Sequence, residues 1–152
     1  MALSDHTDVS AAEEAHRQRK GFRRVRSAHL TELAEDYVEL IADLIEQTGE
    51  ARVVDLAERL GVASATVSIA IRRLQRDGLV TSKPYRSIFL TAKGRAVAAA
   101  ARARHQVVRD FLIALGVDPD TADADAEGIE HHVSESTLGA FRKFLAGSRR
   151  MR

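Results

Sequence analysis

The sequence predicts a mainly α fold: six helices and one small β-hairpin, arranged as an N-terminal winged helix-turn-helix followed by a helical C-terminal domain. Three observations predict it. Apolar residues recur at three- and four-residue spacing through several stretches. A short helix and a longer one stand back to back around Gly61, a natural left-handed cap. Two brief extended runs then flank a Lys83-Pro84-Tyr85-Arg86 turn.

The elements follow in order. Residues 1 to 27 show no apolar periodicity and read as a mobile arm, made basic by Arg17, Arg19, Lys20, Arg23, Arg24 and Arg26. A helix follows from about residue 28, with Leu30, Leu33, Tyr37, Leu40, Ile41, Leu44 and Ile45 as its stripe and Gly49 as its stop. Asp36, Glu39 and Asp43 share a neighbouring face, being three and four apart. Val53, Val54, Leu56, Ala57 and Leu60 form the short helix closed by Gly61. Ser64 is the expected cap of the next helix, which buries Val67, Ile71 and Leu74 and ends at Asp77-Gly78. Leu79–Ser82 and Ser87–Thr91 are the extended pieces. A long alanine-rich helix, capped by Thr91, spans Ala92 to about Leu115. Asp118-Pro119 opens another that runs to about His132, since Asp suits the cap and Pro the first turn. Ser134 caps a last helix ending near Gly147, with a basic tail beyond it. The expected domains are the arm (1–27), the winged helix-turn-helix (28–91) and the helical domain (92–152).

Composition narrows the function. With no cysteine in 152 residues there is no disulfide, thiol nucleophile or thiolate metal site. No apolar run approaches the ~20 residues of a membrane span, and the first residues lack a signal-peptide core. The expected location is the cytoplasm, with no membrane partner. Net charge is only +1, but it is unevenly spread. The front is basic, whereas Asp118 to Thr137 holds seven acidic residues and no Lys or Arg. Such asymmetry suggests two kinds of partner.

The block from Arg52 to Thr91 has the form of a DNA reader. A short first helix braces a second through a tight turn, so the second protrudes and can enter a major groove. With Val67, Ile71 and Leu74 buried, the outward side presents Ser64, Ala65, Ser68, Ile69, Arg72, Arg73 and Arg76, with Thr66 at its edge. Small and hydroxyl residues lead, where base edges are read, and arginines follow, where phosphates lie. Lys83 and Arg86 sit at the tip of the wing. Between Ala51 and Thr91, seven basic and three acidic residues leave a local charge of +4. The expected DNA-contacting set is Ser64, Ala65, Thr66, Ser68, Arg72, Arg73, Lys83 and Arg86.

A second pattern lies in Glu127-Gly128-Ile129-Glu130-His131-His132. On a helix, Glu127, Glu130 and His131 fall at i, i+3 and i+4, on one face. Two carboxylates crowded on one turn repel and favour a cation, although such a run alone reads first as a solvated acidic face. His132 points elsewhere. His105, beside the stripe of Ala101, Val108 and Leu112, reads alone as a core histidine, and Asp36 and Glu39 as surface carboxylates. Together these residues offer four carboxylates and two imidazoles on three helices able to converge.

With these motifs in hand, the sequence resembles the diphtheria-toxin-repressor family of metal-dependent regulators, in particular its manganese transport regulator branch. The likeness covers nearly the whole chain from about Gly21. It is carried by AEDYVELIADLIEQTGEARVVDLAERLGV, GLV, FLTAKG, RHQVVRDFLIALGV and, most specifically, DAEGIEHHVSEST. The resemblance implies that the helical domain binds metal and dimerises, and that the ligands are Asp36, Glu39, His105, Glu127, Glu130 and His131. Iron-responsive relatives carry a methionine where Asp36 stands and a cysteine where Glu127 stands, so oxygen at both places is similar to the manganese branch.

An oxygen-rich site with two imidazoles suits Mn2+ or Fe2+, and four carboxylates have enough oxygens to bridge two ions. The expected protein is a manganese-dependent repressor of metal-uptake genes, a homodimer on a palindromic double-stranded operator, with metal ordering the dimer for DNA. The alternatives are a winged-helix regulator responsive to iron or to a small organic ligand, or a di-metal helical enzyme. The enzyme reading is disfavoured because neither glutamate stands three residues before His131, as a Glu-x-x-His site requires.

Overall fold

The structure, a computed structural model, describes residues 5–83 and 86–150. Among the described residues there are six helices and one two-stranded antiparallel hairpin, and the chain divides into two compact units, residues 1–33 and 34–152.

In the first unit, α1 (Asp5–Thr48) begins at Asp5 and not near residue 28. The stretch expected to be a mobile arm is therefore helical from Asp5, its first four residues lying outside the described ones. It contains no proline and is built largely from Ala, Glu, Gln, Lys and Arg, whose helix propensity does not depend on an apolar stripe. Glu14 and Arg17, one turn apart, add an ion pair at 3.0 Å. The described side chains from residue 11 to residue 31 are all exposed.

The second unit begins with the last turns of α1, which bury Tyr37, Val38, Ile41 and Leu44. Then come α2 (Val53–Leu60) and α3 (Ser64–Arg76), joined through Gly61 at φ 65°. The Asp55 carboxylate accepts the Arg52 backbone N–H at the start of α2. Ser64 is not the cap of α3: the chain is extended at Ala63, Ser64 is already helical, and its side chain makes no capping bond. The turn from Gly61 closes one residue earlier than expected, because the Ala63 carbonyl takes the Thr66 and Val67 N–H groups. The stripe Val67, Ile71 and Leu74 is buried as its spacing dictates.

The hairpin pairs β1 (Val80–Thr81) with β2 (Phe89–Leu90), shorter than the two extended runs, with a further bridge from Ile88 to Ala51. Pro84 and Tyr85 of the expected turn lie outside the described residues. Next, α4 (Ala92–Ala114) opens with the Thr91 hydroxyl accepting the Gly94 N–H. Its first turn lies directly on the hairpin's entry: a Cβ at Gly94 would stand 2.0 Å from the Leu79 carbonyl oxygen, so only glycine fits. Lys93 and Arg95 secure the same joint by donating to the carbonyls of Asp77 and Leu90.

Asp118 caps α5 (Pro119–Ile129), and Ser134 caps α6 (Glu135–Arg150) by accepting the Thr137 N–H. α5 stops at Ile129, short of His132, because the chain must become extended to reach the Ser134 cap. Residues 130–132 tighten into a turn as the His132 N–H reaches back to the Ile129 carbonyl. α6 runs through Arg150, beyond the expected end at Gly147.

Candidate metal centre and nucleic-acid face

The last turns of α1 have two faces. Tyr37, Val38 and Ile41 enter the core, while Asp36 and Glu39 turn towards α4 and the end of α5. His105 comes from the middle of α4, Glu127 from the last turn of α5, and Glu130 and His131 from the turn after it. The helix thus ends before His131, and the one-face argument does not extend to that residue; the turn swings its imidazole towards α1.

The His105 Nδ1 stands 3.6 Å from Glu127 and 3.8 Å from Glu130 Oε2, and these three residues offer donor atoms all within 4.8 Å of one another. The His131 Nε2 stands 3.3 Å from Asp36 and 3.6 Å from Glu130 Oε1. Glu130 therefore turns one oxygen to each histidine. Glu39 completes the group electrostatically. Its pKa is raised to about 7, by burial first and then by the charges of Glu127 and Asp36, with His131 and His105 opposing the shift. Glu130 is also raised to about 7, by burial first and Glu39 second. Of the expected ligand set, the structure thus groups His105 and Glu127 on one side of Glu130 and His131 with Asp36 on the other, with Glu39 coupled to both groups by charge.

Two carboxylates outside that set hold the outer nitrogens of the histidines. Asp123 accepts from His105 Nε2 at 3.1 Å, and Glu35 accepts from His131 Nδ1 at 3.0 Å. Sequence reasoning passed over both. Asp123 had a signal, since it lies four residues before Glu127 on the same helical face. Glu35 had none beyond being next to Asp36. His132 is exposed.

The donor set fits a hard divalent cation. Glu130 is only 2% exposed, and its Oε2 finds no hydrogen-bond partner among the described residues. A buried carboxylate oxygen left this way is costly unless a cation answers it. Oxygens with two imidazoles and no sulfur are a Mn2+ or Fe2+ donor set.

On α3 and the wing, Ser64, Ala65, Thr66, Arg72, Arg73, Lys83 and Arg86 are exposed, and Ser68 is half-buried. α3 and the hairpin bound a concavity of about 1200 Å³, into which Arg52, Arg72, Lys83 and Arg86 bring positive charge. Gln75 donates to the Ser82 carbonyl and ties α3 to the wing.

A helix-turn-helix with a wing, joined to helices that gather carboxylates and imidazoles, defines a metal-responsive DNA-binding regulator. Comparison with known proteins agrees. Residues 29–88 match the iron dependent repressor N-terminal DNA binding domain, and residues 91–150 match the iron dependent repressor metal binding and dimerisation domain. The chain belongs to the iron-dependent repressor family, whose members are transcriptional repressors and not enzymes. It is 57% identical over 125 residues to the transcriptional regulator MntR of Escherichia coli O6:H1, covering 82% of this chain and 81% of that protein. It is 39% identical over 104 residues to the HTH-type transcriptional regulator MntR of Bacillus subtilis, covering 68% and 73%. Among solved structures, a manganese-dependent transcriptional repressor in complex with manganese superposes with a TM-score of 0.67 at 34% identity, over 74% of this chain and 52% of that one. The manganese regulator SloR gives 0.64 at 29%, over 74% and 53%. This chain thus spans about half the length of those two longer proteins. No helix among the described residues is long and apolar enough to cross a membrane.

Proposed function

We propose that the chain is a manganese-responsive repressor of metal-uptake genes, acting in the cytoplasm as a homodimer on a palindromic operator. Asp36, Glu39, His105, Glu127, Glu130 and His131 hold the metal. Ser64, Ala65, Thr66, Ser68, Arg72, Arg73, Lys83 and Arg86 meet the DNA. Residues 28–91 form the reading domain, residues 92–152 the metal-binding and dimerising domain, and residues 1–27 a basic arm. The observation that carries this reading is Glu130: a buried carboxylate with an unanswered oxygen, set between two imidazoles and facing further carboxylates. Its two oxygens turn to different histidines, which favours two ions over one. The names of the similar regulators favour manganese.

Bound there, a divalent cation would neutralise the carboxylates' repulsion and tie α1, α4 and α5 together. α1 carries that constraint to the reading domain, because the side opposite Asp36 and Glu39 packs in its core. Two reading helices on a twofold axis must match half-sites about one DNA turn apart, so restricting their freedom lowers the cost of binding. Coupling of this kind is typically ~1–3 kcal/mol and reciprocal, so operator DNA should tighten Mn2+ binding by the same factor.

The test is DNA binding by fluorescence anisotropy, on fragments selected from a random-sequence pool with Mn2+ present. Affinity should rise with Mn2+ and fall again with chelator. Equal affinity with and without metal would overturn the proposal.

A further inference from the structure

We infer that Glu35 and Asp123 are positioning residues that select which nitrogen each histidine offers to the metal: Nδ1 from His105 and Nε2 from His131. The inference rests on the metal-site reading above.

An ionised carboxylate can only accept hydrogen bonds. The nitrogen against it must therefore carry the ring proton, and a neutral imidazole then has its lone pair on the other nitrogen. For His105 the protonated nitrogen is Nε2, against Asp123 at 3.1 Å, and Nδ1 faces Glu127 and Glu130. For His131 it is Nδ1, against Glu35 at 3.0 Å, and Nε2 faces Asp36 and Glu130. The two rings are thus held in opposite tautomers, and both lone pairs converge on the cluster containing Glu130. A carboxylate behind a ligating histidine fixes ring orientation and increases its basicity as a ligand.

Each outer carboxylate is itself held by an arginine of α4. Arg104 donates to Glu35 Oε2 at 2.6 Å, and Arg109 forms an ion pair with Asp123 Oδ1 at 3.0 Å. In both cases the oxygen that takes the arginine also takes the histidine. The two sites differ in burial. Side-chain exposure is 14% for Glu35 and 3% for His131, but 59% for Asp123. Water can replace Asp123 more readily than Glu35, so Glu35 carries the larger effect.

A purely structural role, in which these ion pairs only pin α1 and α5 to α4, makes a different prediction. It lowers stability without changing which nitrogen is protonated. Nitrogen NMR of the two rings in metal-free protein, in buffer alkaline enough to keep both neutral, separates the cases. Wild type should show His105 as Nε2–H and His131 as Nδ1–H. Asp123→Ala should alter the tautomer of His105 only, and Glu35→Leu that of His131 only. By calorimetry, Mn2+ affinity should fall about ten- to hundredfold for Glu35→Leu and towards the lower end of that range for Asp123→Ala. If Glu35→Leu does not fold, the exposed Asp123 site decides alone. Unchanged tautomers, or a changed tautomer with unchanged Mn2+ affinity, would overturn the inference. His105→Ala serves as control: if it binds Mn2+ as well as wild type, the metal-site reading itself fails, whatever the tautomers show.

Discussion

The two cores of the second unit are built on different principles. The core under the reading domain gathers fifteen buried residues, from Tyr37 through Leu56, Val67 and Ile88 to Ala98, all of them apolar apart from the tyrosine hydroxyl. Among the described residues the core cluster between α4, α5 and α6 is smaller, built on Val108, Ala126 and Leu138, while Ala101, Ala122 and Glu130 are also buried. One region is held by the removal of apolar surface from water, which asks for no ligand. The other spends part of its interior on carboxylates that repel one another. The difference teaches where responsiveness lies: the reading domain is a stable tool, and the C-terminal helices, with the facing side of α1, are where a cation can change the energy.

The largest effect should come from the first core. Ile41→Ala removes a fully buried side chain and should cost about 2–5 kcal/mol, equally with and without Mn2+, by chemical denaturation. If Mn2+ restored the loss, the packing of this core would itself depend on the metal.

Gly94→Ala comes next. The added methyl would meet the Leu79 carbonyl, forcing α4 off the hairpin at a cost of about 1–3 kcal/mol, with Mn2+ affinity of the folded fraction retained. A melting temperature equal to wild type would mean the joint is looser than the structure has it.

Glu130→Gln should work in the opposite direction. Removing a buried charge should leave the metal-free protein as stable or more so above pH ~7.5, by on the order of 1 kcal/mol, while abolishing Mn2+-stimulated DNA binding. A metal-free variant less stable than wild type would place Glu130 in a structural role.

The same logic gives a pH dependence. Glu39 and Glu130 have pKa values raised from 4.5 to about 7, so each favours the folded state while protonated and loses that contribution as pH climbs through about 7. His105 acts in the same sense. Burial lowers its pKa, but the hydrogen bond to Asp123 and the charges of Glu130, Glu127 and Asp123 raise it above 6.5 overall. Its stabilisation is likewise lost on the alkaline side. Metal-free melting temperature should fall as pH rises through this window, and the increase produced by Mn2+ should grow over the same range, since the ligands must shed protons to bind. A Mn2+ increment independent of pH would contradict this.

The smallest effect is at the DNA face. Arg72→Ala or Lys83→Ala should each reduce the salt slope of DNA binding by about one, leaving Mn2+ affinity unchanged. An unaltered slope for both would remove them from the phosphate contacts.

What the sequence made legible was local. The Val67, Ile71, Leu74 stripe, the Gly61 turn and the caps at Thr91 and Asp118 each depend on residues within one or two turns. The helix from Asp5 was missed because lack of an apolar stripe was equated with lack of a helix, whereas good helix formers need no stripe. The ends of α3 and α5 were misplaced by one and about three residues, because caps depend on where the neighbouring turn closes. The six expected ligands were named by motif, yet nothing local says that Glu130 and the His131 side chain are sealed from water while Asp36 and Glu127 stay open to it. Glu35, Arg104 and Arg109 were illegible for a stronger reason: their roles exist only once α1, α4 and α5 meet, whereas Asp123 had at least its spacing from Glu127.

The most direct test is amide hydrogen exchange of the whole protein with and without Mn2+. The account predicts that added protection concentrates in residues 34–48, around His105, and from Glu127 through His132, with α2 and α3 protected alike in both states. Protection gained mainly in α2 and α3, or nowhere, would contradict it.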